Sequence, residues 1–127
     1  MNALEEIRKD IPDFPGCEGE MECRLSDEQV RSYVGERLAG LAEDQLSAEE
    51  KELFDRVMFR SEFMNQEAFR IFDENRDDKR IAAVLDADAA LIAAAKPLDA
   101  PGGKLADALK AINDAFDRRD AAMLAPP

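Results

Sequence analysis

The chain contains no histidine and no tryptophan, one tyrosine, and two cysteines among its 127 residues. The missing histidine removes the His-based catalytic triads, the usual zinc sites and the commonest general acid–base residue together. Two cysteines without histidine are too few for a closed zinc site. No apolar run approaches the ~18 residues that a membrane span requires, so no membrane partner is expected. The opening stretch MNALEEIRKDIPDFPG is too charged for a signal peptide. The cytoplasm is therefore the expected location, and Cys17 and Cys23 are expected as free thiols rather than as a disulfide.

What is present is charge. Net charge is −12, and it is uneven: residues 1–52 hold 15 acids against 6 bases, residues 53–127 hold 14 against 11. Such a surface repels phosphate backbones, so direct nucleic-acid binding is not expected. Length and a hydrophobic share of 46% suit one globular domain.

The richest stretch runs over 48–75. It holds five of the seven phenylalanines and neither Gly nor Pro. Ser47 and Glu50 form a capping-box signature. At 100° per residue Leu53, Phe54, Val57, Met64, Ala68, Ile71 and Phe72 share one arc, so the pattern predicts one helix of about 40 Å, at roughly 1.5 Å per residue. Phe59 and Phe63 fall on the opposite face, flanked by Arg56 and Arg70. A helix with a second apolar patch needs a second surface to cover it.

The rest also reads as helix. Residues 2–10 carry Leu4 and Ile7 and stop before Pro12. Residues 12–25 are Pro/Gly-rich and acidic, an irregular segment in which Phe14, Met21 and Leu25 are the available anchors. Ser26 with Gln29 reads as a second capping signature opening a helix over 27–44, striped by Val30, Tyr33, Val34, Leu38 and Leu41. Gly35 and Gly40 lie inside that span, where close approach of a neighbouring helix is their benign use. Residues 80–95 are nearly all apolar and stop at Pro97. Residues 104–122 carry the stripe Leu105, Leu109, Ile112 and Phe116. No strand-like alternation occurs. The expectation is an all-α helical bundle of four main helices, a short N-terminal helix and an irregular acidic segment, divided into an arm (1–25), a bundle (26–123) and a loose tail (124–127).

Candidate chemistry is sparse. Asp73 to Asp78 supplies oxygen ligands as an EF-hand loop would, but Asp78 stands where that loop needs glycine and Val84 where it needs a bidentate glutamate. Glu49-x-x-Glu52 with Glu74-x-x-Asp77 resembles the ExxE…ExxD signature of all-α nucleotide pyrophosphohydrolases of the MazG type. That resemblance implies magnesium gathered by four carboxylates. On one unbroken helix the halves would stand more than about 30 Å apart, too far to share a metal. Cys17-x5-Cys23 is a candidate thiol site, although the glutamates between the two disfavour thiolates. Asp88 lies at the centre of an apolar stripe and, if buried, needs a cation; Arg60 is the candidate partner.

The reading that follows is a small, acidic, non-catalytic helical protein without cofactor, working through protein–protein contact as a homodimer or on another protein. Its interface would centre on Phe59, Phe63, Arg56 and Arg70. The alternatives are an acidic mimic or blocker of a nucleic-acid-binding protein surface, and a carboxylate–magnesium pyrophosphohydrolase-like enzyme. Either the 12–25 segment or a second copy must cover the two phenylalanines.

Overall fold

The computed structural model describes residues 2–63, 65–67, 77–99 and 104–124. Its helices are α1 (Ala3–Asp10), α2 (Glu20–Ala39), α3 (Ala48–Glu62), α4 (Asp78–Ala95) and α5 (Leu105–Leu124), with 3-10 turns at Glu43–Gln45 and Lys96–Asp99. The fold is all-α. Each of the four long helices packs against two others: α2 on α3 and α4, and α5 on α3 and α4, closing a ring. The short α1 docks on α4, where Lys96 just beyond it holds Asp10 at 2.8 Å.

The core is the sum of the stripes. Val30, Tyr33, Val34 and Leu38 of α2 meet Phe54 and Val57 of α3, Leu91 and Ile92 of α4, and Leu109, Ile112 and Phe116 of α5. Ile7 and Phe14 join from the N-terminal side, each 1% exposed. A smaller cluster unites Cys17, Cys23, Val84 and Met123. Caps begin three of the helices. The Asn2 side chain accepts from the Glu5 amide at 2.9 Å, Asp77 from Arg80 at 2.8 Å, and Ser47 and Glu50 form the reciprocal box at 3.2 and 2.8 Å.

Helix boundaries differ from the sequence reading at three places: α2 ends at Ala39 rather than 44, and two further differences involve α3 and the start of α2. The long helix does not run unbroken to 75: it ends at Glu62, and Phe63 is extended at φ −121°, ψ 129°. Two bonds of Ser61 mark the end, one local and one tertiary. Ser61 Oγ donates back to the Met58 carbonyl at 2.7 Å, a competition that weakens helix continuation. Arg31 of α2 donates to the Ser61 carbonyl at 3.3 Å, thirty residues away in sequence, and so satisfies an acceptor that the next turn would otherwise need. Second, α2 begins at Glu20, not after Ser26. Ser26 is buried inside it, and its hydroxyl donates to the Gly16 carbonyl. Acids in the first turn, Glu20 and Glu22, complement the positive helix end and open α2 without a side-chain cap. The arm thus shrinks to α1 and an irregular stretch over 11–19.

The glycines divide by role. A Cβ on Gly35 would meet Ser61 Oγ at 3.2 Å, so Gly35 is the close-approach point of α2 on α3. Gly40 instead caps the end of α2. Gly16, at φ 85°, occupies the left-handed region that glycine enters without a Cβ penalty and turns the chain into α2.

Candidate functional site

Phe59 and Phe63 stand one turn apart where α3 stops. Their ring centroids are 4.8 Å apart and tilted by 38°, and they remain 63% and 58% exposed. The N-terminal segment does not cover them: Phe14 is spent in the core, whereas Met21 is 80% exposed. Covering would need apolar area that this Pro/Gly-rich stretch does not have. Arg56 of the expected interface is exposed and leans on Glu52 at 3.7 Å. Arg70, its other flank, lies outside the described residues.

The phenylalanines form a ridge between two grooves. On one side the wall is acidic, with Glu43, Asp55 and Glu62 around Leu41 and Met58. On the other Arg31, Arg60 and Arg119 stand with Asp120 beside Phe116, each arginine already paired with a carboxylate. Arg60 is well anchored there. It donates to the Asn113 side chain at 2.9 Å, to Asp117 at 2.8 Å and to Asp120 at 2.9 Å, and its guanidinium lies 5.1 Å from the Phe116 ring centre.

Asp88 is buried, at 2% exposure, but Arg60 is not its partner. Arg60 sits on α3 and is consumed by α5, while α4 presents Asp88 to Arg119 of α5. Arg119 Nη2 also reaches Asp27 at 2.7 Å, and Asp27 in turn holds Arg31 at 2.8 Å. The result is a charge-balanced chain, Arg31–Asp27–Arg119–Asp88, joining α2, α4 and α5 through the interior. Burial pushes the Asp88 carboxyl above its ordinary value, with Arg119 opposing. For Arg119 burial works downward, yet Asp88 and Asp27 outweigh it and hold the guanidinium above its ordinary value. The sequence carried a signal for this chain that stripe-reading passed over. Arg119 is in helical register with Ile112, Phe116 and Met123, and Asp27 with Cys23, Val30 and Val34.

No protein-family model, curated protein or solved structure matches this chain.

The remaining candidates therefore rest on geometry alone. Cys17 and Cys23 are not free: they form a disulfide, with Cα atoms 4.3 Å apart. The turn at Gly16 and the early start of α2 bring them together. The break at Phe63 removes the distance objection to the ExxE…ExxD pattern, but Glu74 lies outside the described residues. Among the described residues no three His, Cys, Asp or Glu side chains are grouped to hold a metal ion. The EF-hand-like run likewise falls largely outside them.

Proposed function

We propose that this chain works by protein–protein contact rather than catalysis, and that its first partner is a second copy of itself, joined through the Phe59–Phe63 ridge. The observation that carries this is the pair of adjacent, mutually tilted and majority-exposed phenylalanines at the end of α3. Full burial of a phenylalanine side chain gains about 1.5–3 kcal/mol, and with the two still 63% and 58% exposed more than half of that remains to be gained at each. A two-fold axis through the ridge would set the same apolar patch of each copy against the other, as an isologous interface requires. The chain exposes 7235 Å², so a standard interface of ~800 Å² per partner would use roughly a tenth of it.

Light scattering tests the reading. The native chain should be dimeric at micromolar concentration, and Phe59→Ser with Phe63→Ser should give a monomer of unchanged far-ultraviolet helicity. A native chain that stays monomeric at high concentration refutes it.

On compartment, no described helix is long and apolar enough to cross a membrane. The Cys17–Cys23 bond argues for oxidising surroundings, against the cytoplasm expected from the sequence. Thiol labelling of protein quenched directly from the cells that make it decides between them.

A further inference from the structure

A second surface, separate from the phenylalanine ridge, lies where the end of α1 meets α2. Its groove, about 370 Å³, is rimmed by Asp10, Asp13, Glu28 and Glu36, and among the described residues no lysine or arginine lines it. Two cations that touch lining residues are already held: Lys96 by Asp10 at 2.8 Å and Arg37 by Asp99 at 3.3 Å. Ionised carboxylates only accept, so the complementary group is a cationic donor.

Charge is only half of the surface. Along α2, Met21, Leu25, Glu28, Ser32 and Glu36 follow one another at intervals of three or four residues and share one face. Met21 is 80% exposed and Leu25 47%. The face is thus apolar at its start and acidic along its length, about 22 Å at roughly 1.5 Å per residue.

We infer that this face docks a basic amphipathic segment of another protein, with its apolar side chains on Met21 and Leu25 and its lysines or arginines over Glu28, Glu36 and Asp13. A second copy does not fit, because the same acidic groove would face itself. Nucleic acid is repelled. A small polyamine would leave Met21 and Leu25 uncovered. The inference stands apart from the dimer, since none of its residues lies on the ridge.

The probe is a fluorescein-labelled amphipathic peptide of about 15 residues, built from leucine and lysine to match the length of the stripe at roughly 1.5 Å per residue. Fluorescence anisotropy should show binding that weakens several-fold between about 50 and about 200 mM salt, as exposed charges are screened. Glu28→Lys with Glu36→Lys should weaken it at least roughly tenfold, whereas Glu52→Lys with Asp114→Lys, the same change of net charge elsewhere, should cost less than about threefold. Met21→Ser with Leu25→Ser should weaken it at least about fivefold at unchanged charge. Phe59→Ser with Phe63→Ser should leave it unaltered. Absence of binding, equal losses from the two charge reversals, or equal binding of a lysine/serine peptide would each overturn the inference.

Discussion

Arg119→Met is the most informative single change in the interior. It removes one guanidinium and leaves two carboxylates, Asp27 and Asp88, each 2% exposed. Asp27 keeps Arg31 at 2.8 Å; Asp88 keeps no cation that the structure places against it. Breaking a buried pair from one side costs about 3–5 kcal/mol because a charge is stranded, and roughly 5–15 kcal/mol is all that a domain holds. Methionine fills much of the arginine stem's volume, so the loss reports charge rather than a cavity. Urea denaturation followed by circular dichroism should show the midpoint falling by roughly 2 M, for a slope of about 1–3 kcal/mol per M. Adding Asp88→Leu removes the stranded partner. The double variant should recover at least about 1.5 kcal/mol relative to the sum of the single losses, the signature of coupled neighbours. A loss below about 1 kcal/mol for Arg119→Met, the scale of an ordinary surface change, would refute the buried chain of charges.

Two further outcomes follow from the same interior. Because burial raises Asp88 above its ordinary 3.8, the folded chain binds this proton at a pH where the unfolded chain does not. This group therefore adds stability as pH falls through its folded value, and the addition is complete below the unfolded value. The stability of the native chain minus that of Asp88→Asn should then grow from pH 7 toward about pH 4; a difference that shrinks contradicts the assignment. The Cys17–Cys23 bond closes a short loop, sequence separation 6. Cys17→Ser with Cys23→Ser should cost about 2 kcal/mol on loop-closure entropy, and a phosphine reductant should lower the native melting temperature to that of the variant. Two titratable thiols in the untreated protein would show the bond absent.

How much was legible depended on how local the cause was. The stripes of α4 and α5 and the Ser47–Glu50 box are set by neighbours within a turn or two, and they read correctly. So did the burial-prone position of Asp88. The end of α3 did not, because one of the two bonds that mark it, from Arg31 to the Ser61 carbonyl, comes from another helix. Nor did the start of α2, where two acids and a turn at Gly16 replace a side-chain cap, and Ser26 spends its hydroxyl on the Gly16 carbonyl. Pairing was the hardest layer. Asp88 announced a need for a cation, but Arg60 and Arg119 both lie near apolar stripes, and the choice between them is made by which helices adjoin. Since α4 packs on α5 and α3 packs on α5, Arg119 is available to Asp88, and Arg60 turns to Asp117 and Asp120.

The same dependence on tertiary context governs the acidic residues that resemble a metal-gathering set. An unbroken helix would keep Glu49 and Glu52 far from Asp77, and the break at Phe63 lifts that constraint. The carboxylates nevertheless have employment in the fold. Glu49 binds Lys110 of α5 at 3.2 Å, Glu52 leans on Arg56 at 3.7 Å, and Asp77 spends its side chain capping α4. A metal drawing on these groups would have to displace a cation at each of the first two positions and uncap a helix at the third, the last alone costing about 1 kcal/mol. The phenylalanine ridge carries no such prior engagement. Its rings touch each other and remain majority-exposed, so whatever covers them gains the rest of their burial without undoing a bond. That asymmetry, between acids already bonded and aromatics still uncovered, is what supports the proposal of contact with another chain.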